Sequence, residues 1–97
     1  MRNGNYKSSG LKGASGAIKA GPGIIMGIMF VADTGDEPTL TVWDNASAAS
    51  GDEIAFLMPS DETHTVTYNF PNGGLRVRNG IYAELSAAEG DYIIFYA

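Results

Sequence analysis

From residue 17 onward, apolar and polar positions alternate in short runs of period two, and no internal stretch keeps a 3.6-residue period behind a helix cap. Gly23–Ala32 (GIIMGIMFVA) is apolar in both phases, with Ile24, Met26, Ile28 and Phe30 in one and Ile25, Met29 and Val31 in the other. Such a run predicts a strand buried on both faces, or one that turns its second face to a subunit interface. Gly27 at its centre predicts a bulge or a close backbone approach. Thr39–Trp43 reads as the next strand, closed by Asp44-Asn45. It is followed by Glu53–Met58, where Ile54, Phe56 and Met58 align and Pro59 stops the run. His64–Phe70 places Val66, Tyr68 and Phe70 inward against Thr65, Thr67 and Asn69.

Turn chemistry punctuates the rest. Pro71-Asn72-Gly73-Gly74 is a strong turn, Leu75–Val77 a short strand, and Asn79-Gly80 the dipeptide favoured in a two-residue hairpin. Ile81, Ala83 and Leu85 alternate with Tyr82 and Glu84, and the chain closes with DYIIFYA over Asp91–Ala97. About eight short antiparallel strands joined by Gly, Pro, Asn and Asp turns predict an all-β sandwich, jelly-roll-like, with a small barrel as the alternative.

Residues 1–16 break this pattern. They hold four glycines, with only Tyr6 and Leu11 as sizeable apolar anchors, too little burial to offset the entropy of ordering them. The reading is a flexible arm (1–16) before a single domain (17–97). Extended at about 3.3–3.6 Å per residue, the arm reaches roughly 50 Å.

Charge sharpens the division. Arg2, Lys7, Lys12 and Lys19 precede every acidic residue, whereas the eleven carboxylates that follow meet only Arg76 and Arg78; with the sole histidine neutral, the sum is −5. That balance disfavours wholesale binding to nucleic acid. At 97 residues the chain suits one small domain with a modest core, and thirteen glycines are nearly double the usual share of about 7 %. Without cysteine there are no disulfides or thiolate metal sites. The apolar run Gly23–Ala32 falls short of the roughly 20 residues a membrane helix needs, and we read no targeting segment and no membrane partner.

Candidate chemistry is sparse. His64 is the only histidine; it could act as a lone base beside Ser60 or Asp61, but a solvated residue is the simpler reading. Asp33, Asp36 and Glu37 share one loop and Asp52 with Glu53 another, without the spacing of a calcium-binding loop. No metal, cofactor or catalytic group is expected, and the reading is not an enzyme. Arg76 and Arg78, two apart on one strand, share a face and could meet a carboxylate or phosphate, or the excess acid of the body. Trp43 with Tyr82, Tyr92 and Tyr96 would make a stacking platform for sugar or single-stranded nucleic acid, or else pack in a core or interface.

Two runs, LTVWDNASAASGDEIAFLMP and FPNGGLRVRNGIYAELSAAEGDYIIFYA, resemble a pattern of small tailed-bacteriophage structural proteins, a "V-x-D-N-A/T-S-A-x-S-G" turn followed by "F-P-x-G-L-x-x-x-N-G-L/I-Y-V". The matches are Val42, Asp44, Asn45, Ala46, Ser47, Ser50 and Gly51, then Phe70, Pro71, Gly74, Leu75, Asn79, Gly80, Ile81 and Tyr82, and the resemblance as a whole covers residues 23–97, leaving the arm outside it. Gly73 is an insertion relative to the tighter form of the turn. The resemblance implies a virion-associated β-sandwich without catalytic residues. On it we expect a capsid decoration or cement protein on the head exterior, bound to the major capsid protein or another virion protein. A homo-oligomer is expected, with a trimer favoured. Arg2, Tyr6, Lys7, Leu11 and Lys12 would form the docking arm, and Ile25, Met29, Val31, Arg76, Arg78 and Tyr82 the subunit interface. A tail, collar or fibre-attachment component is the alternative within the virion, and a carbohydrate-binding module the alternative outside it.

Overall fold

Period-two alternation is realised as two antiparallel sheets packed face to face, in a computed structural model that describes residues 7–32, 39–58, 65–71, 73–86 and 90–97. In chain order the strands are β1 (Lys7–Ser8), β2 (Gly16–Ala20), β3 (Gly23–Ala32), β4 (Leu40–Asp44), β5 (Asp52–Leu57), β6 (Thr65–Asn69), β7 (Leu75–Val77), β8 (Gly80–Leu85) and β9 (Gly90–Tyr96). One sheet runs β1-β9-β3-β6, with β7 beside β6 on the same flank of β3; the other runs β2-β8-β4-β5. We call them sheets A and B. Most consecutive strands change sheet, and β1/β9 with β3/β6 face β2/β8 with β4/β5. That is the double Greek-key winding of a jelly roll.

The core lies between the sheets. Ile28, Phe30, Tyr92 and Ile94 from sheet A meet Leu40, Val42, Leu57, Ile81 and Ala83 from sheet B, all buried. Along β3 the inward residues are Ile25, Ile28, Phe30 and Ala32, so the phase slips once. It slips where β3 shifts register against β9, between Ile25 and Gly27. The bulge expected at Gly27 is present, and the close approach as well: a Cβ there would lie 2.8 Å from Asn69 Oδ1 and 3.3 Å from the Tyr68 carbonyl. The slip puts Ile25 in the core, where it is fully buried and takes no part in any surface. A second irregularity, between Val42 and Trp43, resets β5 against β4. There Ala55 and Leu57 lie opposite the core residues Val42 and Leu40, while Phe56 lies opposite Thr41 and is exposed.

Asn79-Gly80 does not form a hairpin. β7 pairs with β3 in sheet A and β8 with β2 and β4 in sheet B, so Arg78 and Asn79 form a corner between sheets. Gly80 has φ of +151°, and a Cβ there would lie 2.5 Å from the Lys19 carbonyl and 2.8 Å from Ala46 Cα. Only glycine lets three chain segments meet so closely.

The segment expected to be loose is hydrogen-bonded to the body over its described residues. The Ser9 amide donates to the Ile94 carbonyl at 2.9 Å, and Lys12 and Tyr92 exchange both backbone hydrogen bonds at 2.9 Å. Tyr92 Oη then donates to the Ala14 carbonyl at 2.7 Å, and the Leu85 amide donates to Ser15 Oγ at 2.8 Å. Residues 7–16 therefore run along the edge of sheet A and cross to sheet B, strapping one side of the sandwich shut. The order comes from backbone pairing with an otherwise open edge, which the sparse apolar content of the segment does not disclose.

Candidate functional site

Strand register decides which side chains share a surface. On the solvent side of sheet A, Met29 stands opposite Ile93, Gly27 opposite Phe95 and Val31 opposite Asp91. Before the bulge, Ile24 stands opposite Arg76 on the same side. The outward residues of β3 and β9 are thus Ile24, Met26, Met29, Val31, Ile93 and Phe95, with Asp91 at one end. Val31 and Phe95 are 38 % and 40 % exposed, and the other four are half-buried. An antiparallel sheet ordinarily turns polar residues to water on its outer face. Here six apolar side chains occupy it, flanked by the Thr65, Thr67 and Asn69 row of β6.

The outer face of sheet B is different. Trp43 and Tyr82 are cross-strand neighbours, Ala17 lies beyond Tyr82 and Glu53 beyond Trp43. Trp43 Nε1 donates to Glu84 Oε1 at 3.1 Å, so the indole is held by a carboxylate on the next strand. Tyr92 and Tyr96 do not join this surface. Tyr92 is in the core of sheet A, where burial, with a smaller contribution from Tyr82, pushes its phenol above the ordinary value of 10. Tyr96 packs against the core.

At one end of the sandwich two neighbouring residues organise the loops. The Asp44 carboxylate accepts the backbone N–H groups of Asn79 at 2.8 Å, Arg78 at 3.2 Å and Gly80 at 3.3 Å. Desolvation pushes its pKa up, but these three donors and the Arg78 charge outweigh it and hold the carboxyl below its ordinary value of 3.8. Asn45 Oδ1 accepts from the amides of Ser47 and Ala48, and its Nδ2 donates to the Ser50 carbonyl. The Asp-Asn dipeptide of the phage-like pattern is turn architecture in this chain.

The two long sides of the sandwich differ. One is closed by the strap. On the other, β5 and β6 each have a single strand neighbour among the described residues, and between them lies a cleft of about 420 Å³. It is lined by residues 54–57 of β5 with Met58 just after it, and by residues 66–68 of β6, consecutive positions that bring main-chain edges as well as side chains to its walls. A second recess of about 410 Å³ is bordered by Pro22, Ile24, Arg76, Arg78 and Ala97.

The residues expected to form one interface separate into several places. Met29, Val31 and Arg76 share the outer face of sheet A, Tyr82 lies on the opposite face of the sandwich, Arg78 sits in the corner after β7, and Ile25 is internal. Of the arm, Lys7 and Lys12 pair with β9 opposite Tyr96 and Tyr92, and Leu11 is exposed. Arg2, Tyr6, His64 and the acidic loop at Asp33, Asp36 and Glu37 lie outside the described residues. Asp52 and Glu53 are exposed at the start of β5, and no three His, Asp or Glu side chains gather into a possible metal site among the described residues. Plain alternation groups Ile24 and Met26 with the core residues Ile28 and Phe30; the bulge moves them to the outer face, and the β3–β9 register sets Ile93 and Phe95 beside that row.

In comparisons with known proteins, no family model matches the chain, and neither a curated protein nor a solved structure matches it significantly.

Proposed function

We propose that this chain is a structural subunit of a tailed-phage virion, a capsid decoration or cement protein that binds the head shell through the outer face of sheet A. The observation that carries this reading is the apolar row Ile24, Met26, Met29, Val31, Ile93 and Phe95 on a sheet face turned to solvent. A contiguous apolar surface of this kind is characteristic of an interaction site, since burying it recovers roughly 25 cal/mol per Å² of apolar area before association costs. The phage-like sequence pattern supplies the context. Jelly rolls occur among both viral shell proteins and lectins, so the winding alone does not choose between them.

The test is on particles of the phage that encodes the chain. Mass spectrometry of purified virions should find it in a fixed ratio to the major capsid protein, and particles lacking it should lose their DNA at lower temperature. Its absence from purified particles would overturn the reading.

A second reading, carbohydrate binding, is favoured by one feature, the Trp43–Tyr82 pair with Glu84 hydrogen-bonded to the indole. It requires glycans to shift Trp43 fluorescence and protect it from a polar quencher. A glycan panel that leaves the spectrum unchanged removes it.

A further inference from the structure

The two long edges of the sandwich are complementary in charge and in closure. On the strap side lie Lys7, Lys12 and Lys19, contributed by β1, the strap and β2. On the opposite side β5 begins with exposed Asp52 and Glu53 and borders the 420 Å³ cleft, whose β6 wall carries Val66 and Tyr68. Tyr68 faces the same way as the core residue Ile28, its cross-strand partner, yet it is 47 % exposed because β6 is the last strand of sheet A.

β6 also lacks the devices that normally keep an edge strand from pairing. Thr65–Asn69 (TVTYN) has no charge, no proline and no inward-pointing lysine, and three of its five residues are β-branched. Its second hydrogen-bonding edge has no strand partner among the described residues.

We propose that the β5/β6 side is the docking site for the strap edge of a second copy of this chain, head to tail, so that sheet A continues from β6 of one subunit into β1 of the next. The occupant is a second copy because the chain itself carries the matching surface, a basic edge strand opposite an edge whose rim is acidic. The contact is heterologous, and repetition of one such contact closes into a trimer or larger ring, or runs on as a filament. A face-to-face pairing of two β5/β6 sides would instead bring Asp52 and Glu53 against their own copies. The inference rests on the reading of the chain as an assembly subunit and identifies which edges meet.

The experiment is sedimentation velocity and native mass spectrometry of the full-length chain, from micromolar to millimolar concentration, with the 10.2 kDa monomer as reference. Two charge-reversed chains accompany it, Lys7→Glu/Lys12→Glu and Asp52→Lys/Glu53→Lys. The wild type is expected to form a closed oligomer of three or more copies, weakened by salt. Each reversed chain alone should associate roughly tenfold or more weakly, because it sets like charges against each other across every contact. In an equimolar mixture every contact between unlike chains again sets opposite charges together, so even-numbered rings and open chains should regain association and a trimer should regain two of its three contacts; this recovery also shows that both variants are folded. A wild type that stays monomeric, a dimer only, or association that neither reversal changes would each overturn the inference. Shell binding is measured separately on the same samples. An assembling chain that ignores shells leaves the edge contact standing and removes the decoration reading; a monomer that binds shells does the reverse.

Discussion

Asp44 accepts the backbone N–H of Asn79 at 2.8 Å across 35 positions of sequence, and so ties the end of β4 to the corner where the chain leaves sheet A for sheet B. The same carboxylate takes the amides of Arg78 and Gly80. Replacing it by alanine releases the exposed Arg78 and Asn79 amides to water and leaves the part-buried Gly80 amide without its acceptor. Asp44→Ala is expected to cost about 1 kcal/mol, read as a lower denaturant midpoint at unchanged slope. The folded carboxyl titrates below its ordinary value of 3.8. Its contribution is therefore complete above that pH and is lost as pH falls through the lower, folded value. Wild type should lose stability over this acid range by more than Asp44→Ala does; parallel pH profiles would show that the carboxylate is not holding the corner.

Gly27 is the hinge of phase on β3, and its tolerance to side chains follows from what surrounds it. A methyl group would meet Asn69 Oδ1 at 2.8 Å, the movable end of a side chain, and the Tyr68 carbonyl at 3.3 Å. Gly27→Ala should therefore fold with a loss of about 1 kcal/mol or less. Gly27→Val, which drives bulk against the β6 backbone as well, should cost about 1–3 kcal/mol. Thermal melts of the two variants decide it, and equal midpoints would contradict the close approach.

Strand positions were readable because each strand buries one face, and alternation reports burial directly. β3 and β7 match the expected runs, and β4, β5, β6, β8 and β9 begin or end within a residue or two of them. What alternation cannot report is partnership. β1 exists because β9 offers unpaired backbone groups more than eighty residues later, and Lys7-Ser8 carries no local sign of that pairing. Asn79-Gly80 has hairpin chemistry but serves a corner, since a positive φ is equally useful wherever three segments crowd. Ile25 lands on the core face for a related reason: the bulge at Gly27 shifts the phase of the residues before it, whereas plain alternation through Gly27 puts Ile25 with Met29 and Val31.

The strap gives a prediction specific to one hydroxyl. Tyr92 Oη donates to the Ala14 carbonyl at 2.7 Å just where residues 12–15 leave sheet A for sheet B. Tyr92→Phe keeps the ring in the core and removes that bond, an expected loss of about 0.5–1.5 kcal/mol. Hydrogen exchange at the Lys12 and Leu85 amides should accelerate more than exchange at β4. Because burial raises the folded phenol above its ordinary value of 10, the wild type should lose stability as pH rises from that value through the folded one. Tyr92→Phe should lack this alkaline loss. Uniform exchange across both sheets would mean that the hydroxyl does not hold the strap.

On the proposed reading, the outer face of sheet A separates folding stability from shell binding. Met29 and Ile93 face each other across β3 and β9 on the side away from the core, and both are only half-buried. Polar substitution there removes little packing, so Met29→Thr with Ile93→Thr is expected to change folding stability by about 1 kcal/mol or less, threonine keeping the β-branched shape that suits a strand. The same pair sits at the centre of the apolar row, where the largest share of binding energy concentrates in an interface. Occupancy on capsid shells should therefore fall roughly tenfold or more while the melting temperature moves by only a few degrees. Trp43→Ala on the opposite face, in the same shell-binding assay, should leave occupancy unchanged. If the Trp43 variant loses shell binding and the Met29/Ile93 variant does not, the working face is sheet B and the apolar row of sheet A serves another contact.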